Sequence, residues 1–327
     1  MLGSCVTRHF LDKGVGPVKA LVRANSDLSH LEDIPDKVQW ARGDILDQVG
    51  LEKYIDEGDT VIHCAAMVSY DQKDKMELFR VNVEGTKNVV NVCLKKGAAK
   101  LIHVSSIASF GMKNPGEAVT EDHKKNPAAL KSNYALSKYL AEMEVWRGNI
   151  EGLNAVMINP SVIIGPAGWN NSSVKLFRYV WNENLFFIDG AMNCVDARDV
   201  AEIVYRLYEG DFNGQQFIVS AERIAYKDLF EKIAKGFNKK PPRIKVPRAA
   251  LGVVSVLDRV RRFVTGGRPV ITTEIKRAAK GSIQFSSEKV RKELGVDFRS
   301  IEDAIQWTCD ELIRYNDRRR IKAANLR

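Results

Sequence analysis

Short apolar runs alternate with helix-length stretches over the first two thirds of the chain, and this alternation constrains the fold more than any other feature. The spacing between successive runs leaves room for one crossover helix, which is the connection that parallel strands require. The pattern therefore predicts an α/β fold with a doubly wound parallel sheet. The predicted strands lie at residues 18–22, 38–43, 60–65, 100–104, 155–158 and 216–219.

A tyrosine and a lysine stand four residues apart in one of the predicted helices. Tyr134 and Lys138 therefore leave the same helix face, one turn apart. A free phenol has a pKa of about 10 and is a poor acid or base at neutral pH, whereas an adjacent ammonium favours the phenolate. This spacing alone is typical of a solvated surface pair, so the prediction of an acid/base site depends on the neighbouring motifs.

Polar residues follow the two predicted strands on either side of this helix. Ser105 and Ser106 come after one strand, and the other ends in Asn159-Pro160-Ser161. In an open parallel sheet, ligands bind beyond the carboxyl ends of the strands. These polar groups and the Tyr/Lys pair are therefore predicted to converge on one crevice.

Together these motifs resemble the extended short-chain dehydrogenase/reductase family. The resemblance implies a Rossmann, NAD(P)-binding sheet, followed by a smaller, mainly helical C-terminal substrate domain. It implies a cofactor domain of residues 1–165 plus about 195–220, and a substrate domain of about 166–194 and 221–327. The matching pieces, in the family's order, are residues 44–45, 61–66, 82–86, 105–106, 134 and 138, 159–161 and 195–201.

The resemblance also implies catalytic roles. Tyr134 is expected to exchange a proton with the substrate oxygen while hydride passes to or from the nicotinamide. Lys138 is expected to lower the pKa of this tyrosine and to hold the nicotinamide ribose. Ser106 is expected to hydrogen-bond the same substrate oxygen, with Ser105 as the alternative.

Cofactor contacts are likewise implied by the resemblance. Asp44 and Ile45 are expected at the adenine, and the small side chains of Ala65 and Ala66 would let the backbone approach the cofactor closely. Asn82 lies where the family has a polar group behind the site, and a purely structural role is equally open. The residues expected beside the carboxamide are Asn159, Pro160, Ser161 and Val162.

The choice between NAD and NADP depends on the residue that follows the second strand of the family's fold. An acidic side chain there accepts the ribose hydroxyls of NAD and repels a 2′-phosphate. The chain has Arg23 at this place and no carboxylate within residues 21–26. This favours NADP, although an NAD enzyme with a surface arginine remains open.

One piece of the family's pattern is missing from this sequence. The family opens with a hydrophobic strand and a glycine-rich turn that sets the cofactor pyrophosphate on a helix N-terminus. Here only Gly3 matches, as the last glycine of the turn. We expect the absent strand to have belonged between the strands at 18–22 and 60–65, and the working protein to carry roughly ten further N-terminal residues.

The residues near the predicted crevice narrow the reaction type. Dehydratases of the family carry an Asp-Glu pair where this chain has Ile107-Ala108, and epimerases usually place an arginine where residues 188–194 have none. Apolar or small pocket residues favour the dihydroflavonol-reductase and hydroxysteroid-dehydrogenase branch, which acts on ketones and alcohols of hydrophobic molecules. A nucleotide-sugar epimerase that uses bound NAD remains the alternative. The expected substrate-side residues are Met67, Ile107, Ala108, Phe110, Trp169 and Phe187.

Bulk features agree with an enzyme of this kind. No apolar run is long enough to cross a membrane, and no signal-peptide pattern is present, so a cytoplasmic location is expected. The five cysteines are odd in number and scattered, which favours reduced thiols. The five histidines form no cluster with metal-ligand spacing, so no metal is predicted.

The net charge of +9 is concentrated late in the chain. The basic runs lack interleaved aromatic residues, which argues against nucleic-acid binding and favours a solvated basic surface. The apolar segment 249–263 has a basic end and allows peripheral contact with a membrane, or packing over the substrate pocket. The helices near 73–96 and 132–148 resemble those through which family members dimerise, so a homodimer is expected.

Overall fold

Parallel strands and crossover helices organise the chain in the computed structural model, which describes residues 1–26, 28, 31, 34–111, 118–169, 171, 173–247 and 283–324. The strands are β1 (Val18–Val22), β2 (Val38–Arg42), β3 (Thr60–His63), β4 (Lys100–Val104), β5 (Ala155–Pro160), β6 (Val162–Ile164), β7 (Phe186–Ile188), β8 (Ala191–Asp196), β9 (Gln216–Val219), β10 (Glu222–Ala225) and β11 (Ile244–Val246). The α-helices are α1 (Leu2–Asp12), α2 (Gln48–Leu51), α3 (Lys75–Phe79), α4 (Gly85–Lys96), α5 (Asn133–Ile150), α6 (Val174–Trp181), α7 (Ala197–Glu209), α8 (Tyr226–Phe237), α9 (Glu288–Leu294) and α10 (Ile301–Ala324).

The main sheet is parallel throughout. Its four strands have the order β3-β4-β5-β9, and a separate parallel pair is formed by β1 and β2. The register sets Thr60 beside Lys100, Leu101 beside Ala155, and Met157 beside Gln216. The predicted α/β fold with a parallel sheet is therefore confirmed.

Helices cover both faces of the sheet, because alternate side chains of each strand point to opposite sides. On one face Ile102 and Ile158 pack in a core with α1 and α7. On the other face Leu101 and Met157 pack with α4 and α5. Each of these side chains is at most 1% exposed, and fully burying one such side chain contributes about 1.5–3 kcal/mol. The fold is doubly wound, as predicted.

A cleft of about 670 Å³ separates β1 from β3. It is lined by both strands and by residues of α1. Among the described strands, β1 pairs with β2 alone, and β3 pairs with β4 alone. Within the described residues no strand joins β1 to β3, so the cleft separates the β1/β2 pair from the main sheet.

The connection from β3 to β4 contains a local irregularity in its helix. Between α3 and α4, residues Arg80–Glu84 form a π-helical turn within the helical segment that the sequence predicts near residues 73–96. Such turns are frequent at functional sites. The helix ends where Gly97 adopts φ 68°, a left-handed conformation that glycine reaches without steric penalty.

The C-terminal part contains more strand than the sequence predicts. Strands β6, β8 and β10 form a three-stranded sheet, and β7 pairs with β11. These strands are three to six residues long, too short to show a periodicity that distinguishes them from loops. The segment 249–263 and the basic residues at 259–262 and 276–277 lie outside the described residues.

No helix within the described ranges combines the length and apolar character that crossing a membrane requires.

Candidate active site

A crevice of about 470 Å³ opens beyond the carboxyl ends of three neighbouring strands. Each strand is followed by residues that line it, because parallel strands deliver their carboxyl ends to one edge of the sheet. Helix α5 closes one side with its first two turns. The predicted residues that meet in this crevice are Ala66, Ser105, Ser106, Ile107, Ala108, Tyr134, Lys138, Pro160, Ser161 and Val162.

Tyr134 lies in the first turn of α5, which begins where the Ser132 hydroxyl accepts a hydrogen bond from the Ala135 amide at 3.1 Å. The tyrosine is 9% exposed, and its ring contacts the edge of the Tyr70 ring at 5.6 Å between centroids. Burial raises the pKa of Tyr134, and a hydrogen bond with the Ser106 hydroxyl lowers it by less. The expectation that Lys138 lowers this pKa is not met in the protein alone, because the desolvation of the phenolate outweighs the stabilising contacts.

Lys138 is 2% exposed and lies one turn beyond Tyr134. Its ammonium donates a hydrogen bond to the Val104 carbonyl at 2.9 Å. Burial lowers the pKa of Lys138 to about 8, while the charge of Glu142 opposes this change. An ammonium has three donors, so Lys138 retains capacity to bind an oxygen-rich ligand in the crevice.

The two serines after β4 have different surroundings. The Ser106 hydroxyl accepts a hydrogen bond from the Ala108 amide at 3.2 Å and contacts the Tyr134 phenol. The Ser105 hydroxyl instead donates to the Glu142 carboxylate at 2.5 Å. Of the two alternatives, Ser106 is therefore the one beside the tyrosine.

The residues present fit the nicotinamide half of a dinucleotide. The Ser161 hydroxyl is buried and lacks a hydrogen-bond partner among the described residues, although a buried polar group without a partner is costly. Ala65 and Ala66 are exposed at the end of β3 and leave room for close approach. A hydroxyl that needs a partner, small side chains and the Lys138 ammonium thus line one continuous surface.

A second group of predicted cofactor residues lines the cleft between β1 and β3. Gly3, Ile45 and Ala65 belong to it. A Cβ atom built at Gly3 would meet no atom within 4 Å, so the start of α1 is open. This helix begins without a side-chain cap hydrogen bond among the described residues, and backbone amides at a helix N-terminus are of the kind that bind anions.

Four of the predicted cofactor residues make contacts within the protein. Asn82 is 1% exposed, and its amide clamps the Met67 backbone at 2.7 and 3.0 Å, so it acts within the protein. The other three are Asn159, bonded to Glu142 at 2.6 Å; Ile45, whose side chain packs in the core as well as lining the cleft; and Asp44, which accepts from the Leu46 amide. Arg23 is exposed after β1, at the place expected for it.

Four predicted substrate-side residues do not line the crevice. Trp169 and Phe187 pack instead in the C-terminal aromatic core, where the Trp169 indole donates to Asn316 at 2.9 Å. Phe110 is 1% exposed in a separate cluster. Met67 is held by its backbone, and its neighbours Ala66 and Val68 line the crevice instead. These placements follow from burial of large apolar side chains wherever the tertiary fold provides a core.

Apolar residues that the sequence reasoning missed complete the crevice. They are Val68, Tyr70, Leu130, Ile283 and Phe285. Tyr70 follows β3 closely, and this position after a strand end is a signal in the sequence that could have predicted it in the crevice. Ile283 and Phe285 are about 150 residues away from Tyr134 in the sequence, so only the tertiary fold reveals them. A buried Glu142 behind the serines was also missed, although it follows Lys138 by one helical turn.

The described residues contain no group of three or more side chains that could hold a metal ion. The two histidines at the end of the sheet face each other across β3 and β4. His63 and His103 have ring centroids 5.1 Å apart and are buried. Burial lowers the pKa of His63 to about 3 and lowers that of His103 well below its usual value, so both are neutral at physiological pH.

Known proteins share the sequence pattern and the fold. Residues 1–219 match the model of the NAD dependent epimerase/dehydratase family. Sterol demethylase protein B of Methylococcus capsulatus is 26% identical over 314 residues, which span 94% of this chain and 94% of that protein. Cinnamoyl-CoA reductase 1 of Petunia hybrida is 25% identical over 326 residues, which span 95% and 89%. The crystal structure of gox2253 has a TM-score of 0.82, at 28% identity over 96% of both chains.

Proposed function

The chain belongs to the NAD dependent epimerase/dehydratase family, and we propose that it transfers hydride between a nicotinamide cofactor and a ketone or secondary alcohol on an apolar, ring-containing substrate. One observation carries this proposal. A hydroxyl pair, Tyr134 and Ser106, meets a buried ammonium, Lys138, at the inner end of a largely apolar crevice. Such a site combines a proton donor with a surface that excludes water.

Each side chain has a defined task in this mechanism. When bound, the nicotinamide supplies or accepts the hydride. Tyr134 gives its phenolic proton to the carbonyl oxygen during reduction, and takes a proton from the alcohol during oxidation. Ser106, which contacts the phenol in the protein alone, holds the substrate oxygen in line with it. Lys138 binds the nicotinamide ribose and stabilises the phenolate that remains after reduction.

The wall of the crevice supports an apolar substrate. Val68, Leu130, Ile283 and Phe285 line it together with Ile107 and Ala108. Its volume of about 470 Å³ falls within the range of sites that bury a drug-sized molecule. Two relatives bear names that point to apolar or aromatic substrates, a sterol demethylase protein and a cinnamoyl-CoA reductase.

The epimerase alternative is favoured by the family itself, whose description includes epimerases. A nucleotide-sugar substrate carries a diphosphate, which proteins usually bind with arginine or lysine. Among the described residues that line the crevice, Lys131 and Lys138 have the only cationic side chains, and Lys138 is assigned to the cofactor. The described part of the crevice therefore favours the ketone and alcohol chemistry.

We propose NADP as the cofactor. Arg23 is exposed after β1, which supports NADP over NAD because a guanidinium can pair with a 2′-phosphate. Comparison of the Michaelis constants for NADPH and NADH tests this choice. We also propose the division into a cofactor domain and a substrate domain, a homodimer built on the helices near 73–96 and 132–148, and a cytoplasmic location.

The test of the proposed function is a turnover assay with matched tyrosine variants. Cofactor absorbance is followed with a panel of apolar ketones and secondary alcohols, and products are analysed separately because an epimerase gives no net absorbance change. Tyr134→Phe is expected to lose turnover by about 10²–10⁴-fold while NADPH binding stays within a factor of about three. Tyr139→Phe, the same change five residues further along α5, serves as the control and retains activity. Turnover of Tyr134→Phe at the wild-type rate would refute the acid/base assignment.

A further inference from the structure

A buried carboxylate lies directly behind the candidate site. Glu142 is 0% exposed and stands on α5 one turn after Lys138 and two turns after Tyr134. Four donors bond its two oxygens, three of them on Oε1 and one on Oε2. The donors are the hydroxyls of Ser105 (2.5 Å) and Ser109 (2.7 Å), the Asn159 amide (2.6 Å) and the Lys125 ammonium.

These contacts fix the backbone on both sides of Ser106. Ser105 precedes it and Ser109 follows it in the turn after β4, and both are held by Oε1 of Glu142. Asn159, from the end of β5, bonds the same oxygen and also donates to the Ser106 carbonyl at 2.9 Å. One carboxylate therefore joins the two strand ends from which the crevice is built.

Stability alone does not account for this arrangement. Buried ion pairs are often no more stabilising than apolar residues of the same volume, because desolvation opposes the attraction. The side chain of Lys125 is 11% exposed and that of Glu142 is 0% exposed, and the ammonium also lies 4.0 Å from the centre of the Phe110 ring. The Lys125–Glu142 pair is thus well desolvated. It differs from other buried ion pairs in its location directly behind Ser106 and Lys138.

The carboxylate also faces the charge of Lys138. Cys64, His63 and His103 approach this ammonium from β3 and β4, and Tyr134 and Glu142 share its helix. Both histidines are neutral in the fold, because burial lowers their pKa values. The Cys64 thiol is un-ionised at neutral pH, because burial raises its pKa to about 12. Glu142 is therefore the negative group that opposes the desolvation of the ammonium.

We propose that Glu142 is a positioning residue of the reaction: its carboxylate holds Ser106 in register with Tyr134 and supplies the negative charge that keeps Lys138 an ammonium. Lys125 balances this charge from the segment that precedes α5. Val119 in that segment pairs with the backbone of residues 284 and 286, next to Phe285 in the crevice wall. The inference rests on the proposed function, since it concerns residues of the same site.

The test compares two variants that change the charge near Lys138 in opposite directions. Glu142→Gln removes the negative charge, so Lys138 should lose its proton at lower pH, by about one unit. Lys125→Met removes the balancing positive charge, so the same transition should move to higher pH. Glu144→Gln is the matched control, because this carboxylate is two residues away and pairs with Arg147 at 2.9 Å. A purely structural defect would not produce shifts of opposite sign.

Two readouts separate this inference from the proposed function. The pH dependence of NADPH binding, followed by cofactor fluorescence, reports Lys138 without any turnover. With a turned-over substrate, Glu142→Gln should lower kcat by about 10–100-fold and leave KM within about threefold. If wild type and Tyr134→Phe turn over equally, the proposed function fails. If Tyr134→Phe loses turnover as expected, but Glu142→Gln and Lys125→Met both keep the wild-type pH profile or shift it in the same direction, the proposed role of Glu142 is wrong. Should Glu142→Gln fail to fold, the upward shift in Lys125→Met decides.

Discussion

Replacement of Lys138 by methionine should stabilise the protein at neutral pH while it abolishes turnover. Burial lowers the pKa of Lys138 from 10.5 to about 8, a change of about 2.5 units, and each unit corresponds to about 1.4 kcal/mol. The folded pKa lies below the unfolded one, so the folded state binds the proton less well. The charged lysine therefore destabilises the fold by about 3 kcal/mol below about pH 8, and this penalty disappears as the pH rises toward 10.5.

The methionine variant removes this penalty but leaves the Val104 carbonyl, now bonded by the lysine at 2.9 Å, without that partner. An unpaired buried carbonyl costs about 1–2 kcal/mol. We therefore expect a net gain of about 1–2 kcal/mol in the free energy of unfolding near pH 7. The gain should shrink by about 2 kcal/mol near pH 9.5, where the wild-type lysine is largely neutral.

Urea denaturation near pH 7 and near pH 9.5 measures both differences, and cofactor absorbance measures the loss of turnover. Lys131→Met is the control: this lysine also lines the crevice but is exposed, so its removal should leave the pH dependence of stability unchanged. A methionine variant that is less stable than wild type near pH 7, or whose advantage does not change with pH, would refute the claim that Lys138 is a buried ammonium.

Three further stability predictions follow from the packing around the sheet, each measured by urea denaturation. Acidification from about pH 6 to about pH 5 should lower the free energy of unfolding by about 1 kcal/mol for each of His63 and His103, because their folded pKa values lie below the unfolded value. His103→Phe should halve this loss of stability. An unchanged dependence of the unfolding free energy on pH would contradict the prediction. Lys100→Met should lower the free energy of unfolding by about 2–3 kcal/mol, since this ammonium donates to three carbonyls at the end of α7 at 2.6–2.9 Å. An unchanged stability would contradict this prediction. Gly148→Ala should lower the free energy of unfolding by about 1 kcal/mol, although alanine has a higher helix propensity than glycine, because the Cβ of the alanine would lie 2.5 Å from Val90. A second substitution, Val90→Ala, should remove the clash.

The sequence predicted the strands of the main sheet and of the separate β1/β2 pair closely. Observed bounds agree with the prediction for β1, β4 and β9, and within a few residues for β2, β3 and β5. Strands buried on both faces read as continuous apolar runs, which leaves little ambiguity. Because strand ends in a parallel sheet converge, the sequence also predicts that Ser106, Tyr134, Lys138 and Ser161 lie together.

The remainder depends on contacts between distant segments. Trp169 and Phe187 were predicted at the substrate because both are apolar, but burial in the C-terminal core places them elsewhere. Ile283 and Phe285 reach the crevice only through the tertiary fold. The direction of the pKa change at Tyr134 also required the structure, since its burial outweighs the hydrogen bond of Ser106.

The most direct test of the central claim is deuterium transfer from NADPH labelled at the hydride position of the nicotinamide. The product of an accepted apolar ketone is analysed by mass spectrometry. Direct hydride transfer at the site of Tyr134, Ser106 and Lys138 predicts one deuterium at the former carbonyl carbon in the wild-type product, and almost no product from Tyr134→Phe. Product that forms without deuterium, or forms equally well in both proteins, would contradict it.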